Sequence, residues 1–151
     1  QVIFLIAALL PIGHAITTTG TDKLLADFIY SISNNIENSN FKFRILVGVI
    51  YLLSMVLSAF ISNTAIGVVM TPIAISISEI FMVDPRPFLI AVCFGASASF
   101  LTPMGYQTNL MVFGPGRYKF IDFIKAGLPL SIIYWILAFY FIPIFWPFTN
   151  I

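Results

Sequence analysis

The stretch Phe60-Ile61-Ser62-Asn63-Thr64-Ala65-Ile66-Gly67 decides how this chain folds. It interrupts a run, from Ile45 to Ser78, that contains no charged residue. Three consecutive polar side chains stand there where hydrocarbon is expected. Water does not reach a bilayer core, so an unpaired polar group in it costs several kcal/mol. A break of this kind is kept where the backbone lines a cavity or binds something.

The composition around the stretch requires the membrane setting. The 151 residues are 60% hydrophobic and 9% charged, against roughly 25% charged in an ordinary soluble domain. An all-α integral membrane protein embedded in a lipid bilayer is expected, because only helices and closed barrels satisfy their backbone there. The length allows about four or five passes or half-passes at ~20 residues per span. The net charge of +1 comes with no basic cluster interleaved with aromatics, so nucleic acid is not an expected partner. The single cysteine, Cys93, has no internal partner and reads as a small core residue. No His-Glu-x-x-His, Gly-x-Ser-x-Gly, phosphate-loop or Cys/His pattern is present. Neither an enzyme nor a resident metal or organic cofactor is expected. The chain opens at Gln1 within an apolar run and is expected to be the later part of a longer protein.

Upstream of the break, Val2 to Ala15 continues through Thr17-Thr18-Thr19 as a span of borderline length, loosened by Pro11 and Gly13. His14, the one histidine, reads as a contact residue beside the threonines. Gly20-Thr21-Asp22 ends this helix and caps the next. Leu24, Leu25, Phe28, Ile29 and Ile32 then share one helical face, with Lys23 and Asp27 off it. That segment reads as an amphipathic helix in the bilayer interface. Residues 33–40 form a polar loop. Phe41 to Ile61 and Ala65 to Ile80 flank the break. Ser58, Ala59, Ala65 and Gly67 crowd it with small residues, which favours a re-entrant hairpin with a buried tip over two spans joined at a surface.

A second break follows. Phe88 to Phe100 is too short to cross alone, and Leu101-Thr102-Pro103-Met104-Gly105-Tyr106-Gln107-Thr108-Asn109 comes after it. Pro103 stops the helix, Gly105 permits an unusual backbone conformation, and Asn109 is placed to cap a short helix from Leu110 to Phe113. Half-helix, polar loop, half-helix is the pattern of a discontinuous membrane helix. After Gly114-Pro115-Gly116, a basic amphipathic stretch carrying Arg117, Lys119 and Lys125 is expected to end at Gly127. A last span from Leu128 to Ile142 carries Tyr134, Trp135 and Tyr140 as interface anchors, followed by Trp146. The basic residues of that stretch put it on the cytoplasmic side.

Broken helices expose carbonyls, which suit Na⁺, and N–H groups, which suit anions. The side chains at the two breaks are all neutral: Ser62, Asn63, Thr64, Ser99, Thr102, Gln107, Thr108 and Asn109. With no Lys or Arg there, an anion would be balanced by helix dipoles and a bound cation, a physical reason for coupling the two.

At both breaks the sequence resembles the divalent anion:sodium symporter family, within a superfamily that also holds arsenite pumps. The likeness rests on Ser62-Asn63-Thr64-Ala65 with Thr71-Pro72-Ile73, on Ser99 to Val112, on Gly114-Pro115-Gly116, and on Tyr118 to Pro129 with Trp146-Pro147-Phe148. It implies that the chain is the second of two inverted repeats, lacking the N-terminal one, in a bacterial-type inner-membrane protein that is a homodimer when full-length. It implies that Asn63, Thr64, Thr102 and Pro103 contact the substrate. Ser62, Asn63, Leu101, Thr102 and Gly105 would hold sodium, the coupling ion, supported by Ser58, Ser99, Thr108 and Asn109. The two amphipathic helices would link a moving domain to a fixed one in an elevator-like cycle. Gly105-Tyr106-Gln107-Thr108-Asn109 is similar to sulfate-type permeases more than to dicarboxylate carriers, so sulfate or a related small anion is the expected cargo, with a dicarboxylate the alternative. An arsenite- or proton-coupled relative and a non-transporting membrane scaffold or assembly subunit are the other readings.

Overall fold

The computed structural model describes residues 2–33 and 39–149, all helix, turn and irregular segment with no β-strand among them. Seven helices follow in order: α1 Val2–Thr18, α2 Thr21–Ser33, α3 Ser39–Ser58, α4 Asn63–Phe81, α5 Arg86–Ser97, α6 Gln107–Phe113 and α7 Phe120–Phe145. Of these, α3, α4 and α7 are long and apolar enough to cross a membrane. The polar loop expected over residues 33–40 falls mostly on residues outside those described.

Helix α5 is the centre of the bundle. It packs between α3 and α4, and each of these touches α5 more extensively than it touches the other. The core follows from that wedge: Leu46, Val47, Ile50 and Tyr51 of α3, Ile66, Met70, Ile73 and Ile77 of α4, and Phe88, Ala91 and Val92 of α5 are buried. Gly95 lets α5 approach closely, since a Cβ there would lie 2.5 Å from Tyr51 O. Helix α7 lies along the outside of α3 and α5, tied to α3 by Trp135 Nε1, which donates to Gly48 O at 2.9 Å. Trp135 is therefore a packing residue of this interface rather than an interface anchor. At the far end from the Ser62 turn, the Phe148 ring packs at a tilt against Phe43 at 5.1 Å and Phe88 at 5.8 Å, and Asp84 N donates to Thr149 O.

Helix α1 runs unbroken through Pro11, and its buried Gly13 sits against Val68 of α4. Gly13 thus gives close helix contact instead of loosening the span. Gly20, with φ of +69°, makes the turn into α2. Helix α2 turns Leu24, Leu25 and Phe28 away from the bundle and buries Asp22, Ala26 and Ile29 against it. An outward apolar face next to lipid is what an interfacial helix needs. Cys93 is exposed on α5 and is not a core residue.

The largest departure from the sequence reading is α7. Gly127 does not end an amphipathic element, because one helix of 26 residues runs from Phe120 to Phe145 through Pro129 and Pro143. Gly127 is buried where α7 crosses the broken segment, and a Cβ there would meet Phe100 O at 2.2 Å. Close backbone approach, not helix termination, is what requires glycine.

Candidate functional site

Helix α5 stops at Ser97 and α6 begins at Gln107, leaving residues 98–106 without helix. The turn between α3 and α4, residues 59–62, lies against that segment. Thr102 Oγ1 donates to Ala59 O and accepts from Gly105 N–H at 3.1 Å. Gly105 has no left-handed backbone, since Gly20 is the positive-φ glycine among the described residues. Its lack of a side chain matters for space: a Cβ would sit 3.0 Å from both Ser58 O and Ser99 Cβ.

Four oxygens converge beside this contact. Ser58 Oγ is 2.6 Å from Ser99 Oγ, 2.8 Å from Asn63 Oδ1 and within hydrogen-bond reach of Ala96 O. Ser99 Oγ is 2.9 Å from Asn63 Oδ1 and 3.2 Å from Ala96 O. Ser58 and Ser99 are 0% and 3% exposed, so the two hydroxyls are shielded from bulk solvent. The two hydroxyls have one proton each, while a carbonyl only accepts. Two protons therefore serve five oxygen–oxygen contacts. Turning the Asn63 amide over would supply two donors to the hydroxyls and remove the shortage; with Oδ1 toward them, the cluster is a set of neutral oxygens of the kind a hard cation takes.

Asn63 also faces the other way. It opens α4, whose N-cap is Ser62: the Ser62 Oγ accepts from Ala65 N at 3.3 Å and Ser62 O takes Ile66 N at 3.1 Å. The backbone N–H groups of Asn63 and Thr64 have no helical acceptor, as in any first turn. Thr64 is half-buried, and no side-chain hydrogen bond holds it among the described residues. Donors and the positive end of the α4 dipole thus lie next to the oxygen cluster.

Of the residues singled out from sequence, the structure brings Ser58, Asn63, Ser99, Thr102, Gly105 and Asn109 into one hydrogen-bonded assembly. Pro103 is buried in the loop and Leu101 half-buried beside it. Ser62 is exposed with its hydroxyl committed to the cap, and Thr108 is exposed on α6. Asn109 does not cap α6, whose first residue is Gln107; its amide reaches back into the loop. The sequence reading placed Ala59 only among the small residues at the hairpin tip and gave Ala96 no role; each contributes a carbonyl, and no side-chain signal marks a carbonyl. Among the described residues no group of His, Cys, Asp or Glu could hold a transition metal.

A helical bundle with three membrane-length helices and a neutral polar break at its centre has the architecture of an integral membrane protein. Residues 1–150 match CitMHS, the citrate transporter family, and the chain belongs to that family. It is 40% identical over 133 residues to the uncharacterized transporter sll0640 of Synechocystis, covering 88% of this chain and 21% of the relative. It is 36% identical over 146 residues to the uncharacterized transporter YfbS of Escherichia coli, covering 97% and 23%. With sodium/sulfate cotransporter 2 of Chlamydomonas reinhardtii the identity is 34% over 127 residues, covering 84% and 14%. The chain thus spans less than a quarter of the length of these relatives.

Proposed function

We propose that this chain is the second repeat of a Na⁺-coupled symporter for sulfate or a related divalent anion. The observation that carries the reading is the double duty of Asn63. Its Oδ1 is directed at the Ser58 and Ser99 hydroxyls, and it begins the helix whose free N–H groups would face an anion. A cation in the cluster would fill the missing donors. It would also hold Asn63 so that the backbone N–H groups and Thr64 point together at one anion. Neither ion has a fixed opposite charge nearby, so each lowers the cost of the other, which is coupling in thermodynamic terms. Leu101, Thr102, Pro103 and Gly105 form the loop beside the cluster, with the Thr102 hydroxyl locked to Ala59 O.

In this reading α3 and α4 form a re-entrant hairpin. Helix α5, at 12 residues, is about 18 Å long, so the break it leads to lies inside a hydrocarbon core of ~30 Å. Helix α2 and the basic start of α7 are the elements joined to a fixed domain in an elevator-like cycle. The other repeat and the dimer contact come from the remainder of the protein. The protein sits in a plasma membrane with Arg117, Lys119 and Lys125 on the cytoplasmic side.

The test is uptake of labelled sulfate by the full-length protein in liposomes, with an inward gradient of Na⁺ or of choline. Uptake should require Na⁺ and be lost in Asn63→Ala. Equal uptake in choline, or an active Asn63→Ala, overturns the reading. The family's description as citrate transporters supports a second cargo, a di- or tricarboxylate. Labelled citrate in the same assay separates the two.

A further inference from the structure

The break at residues 98–106 creates a specific shortage. In a continuing helix Ser99 O would accept from the N–H of residue 103, and that residue is Pro103, which has none. Thr102 O would accept from residue 106, but Tyr106 is extended, with φ of −143° and ψ of 142°. Both carbonyls are supplied by one side chain. Asn109 Nδ2 donates to Ser99 O at 2.9 Å and to Thr102 O at 3.2 Å. A primary amide has two protons, one for each carbonyl.

The two residues so held are the ones whose side chains organise the cluster. Ser99 Oγ contacts Asn63 Oδ1 and Ser58 Oγ, and Thr102 Oγ1 joins Ala59 O to Gly105 N–H. Helix α6 packs along no other described helix; a ring contact between Phe113 and Phe123 at 6.0 Å and the Asn109 amide are its ties to the bundle.

We propose that Asn109 is a positioning residue for the cation site: by replacing the donor that Pro103 lacks, it sets Ser99 against Asn63 and so sets cation affinity. This rests on the cation reading of the cluster. Asn109 touches neither ion. Displacing α6 would withdraw both hydrogen bonds together and loosen the cluster from a distance of one loop.

The experiment uses the full-length protein in detergent and reads the rise in its unfolding temperature with NaCl against choline chloride. This probe needs no knowledge of the anion. Wild type should show a saturable Na⁺ effect; its absence would overturn the cation reading itself. Given that effect, Asn109→Ala should raise the half-saturating Na⁺ concentration about tenfold. Half-saturation unchanged from wild type overturns the positioning role. Should Asn109→Ala fail to fold, Asn109→Ser decides. Its shorter side chain has one hydroxyl proton in place of two amide protons, so it cannot serve both carbonyls. Half-saturating Na⁺ in Asn109→Ser should rise about fivefold. Half-saturation in Asn109→Ser unchanged from wild type overturns the proposal.

Discussion

Two Gly/Pro pairs, Pro103 with Gly105 and Gly127 with Pro129, look alike in sequence and do opposite things. The first lies in a true break of nine residues, 98–106, while the second is inside a continuous α7. Each proline removes one helical donor. At Pro129 the carbonyl left over is that of Lys125, on an exposed turn next to a basic, interfacial stretch where solvent and headgroups can serve it. At Pro103 it is Ser99 O, in the interior, and Asn109 serves it. The glycines differ in the same way from their sequence reading: both are buried against another backbone, Gly105 against Ser58 O and Gly127 against Phe100 O. Proline does not break a membrane helix by itself, since Pro11, Pro72, Pro129 and Pro143 all lie within helices here. A break persists where tertiary partners satisfy what it exposes.

This contrast can be broken by mutation, and the largest effect should come at Gly127. A methyl group there would have to displace the Phe100 backbone, so Gly127→Ala should cost about 3 kcal/mol of stability. Unfolding of the full-length protein in detergent measures this, and an unchanged midpoint would refute the close approach of α7 to the loop. The next effect in size belongs to the cluster. Ser58→Ala and Ser99→Ala each remove an oxygen, and each should weaken half-saturation by Na⁺ about tenfold, by the ~1.4 kcal/mol that such a factor represents. If the two together weaken it no more than either alone, they act as one ligand unit, which the 2.6 Å contact between them favours.

A smaller effect is expected away from the break. Asp22 on α2 is 4% exposed, its Oδ2 accepts from Ser76 Oγ at 2.6 Å, and its Oδ1 has no partner. Ser76→Ala should cost about 1 kcal/mol by leaving both oxygens unserved, with Na⁺ half-saturation unchanged. A shifted half-saturation would mean that this contact communicates with the cluster, ~20 Å away along α4 by the rise of 13 residues. The smallest effect should be at Pro129: Pro129→Ala restores a donor to an exposed carbonyl and should leave Na⁺ half-saturation within about twofold of wild type, well below the ~1.4 kcal/mol of a tenfold shift. Pro103→Ala returns a competing N–H to Ser99 O and should weaken Na⁺ binding several-fold. Equal responses from the two prolines would erase the distinction drawn between them.

The sequence by itself determined the membrane class, the all-helical architecture and the positions of both interruptions. Those follow from local facts: a hydrocarbon solvent, a backbone that must satisfy itself, and polar residues where apolar ones belong. Spacing also located α2, whose Leu24, Leu25 and Phe28 point outward as the face read from sequence requires, while Ile29, placed on the same face, turns into the bundle and is buried. Only the tertiary structure decided what Gly105, Gly127 and Asn109 are for, that Trp135 packs on α3, and that Ser58 meets Ser99 across 41 residues of chain. A glycine that permits a conformation and a glycine that makes room are the same letter. An asparagine that caps its own helix is likewise indistinguishable, in sequence, from one that supplies a hydrogen to a carbonyl left bare by a proline six residues earlier. Distances between backbones distinguish them, and those are set by which helices pack, not by local pattern.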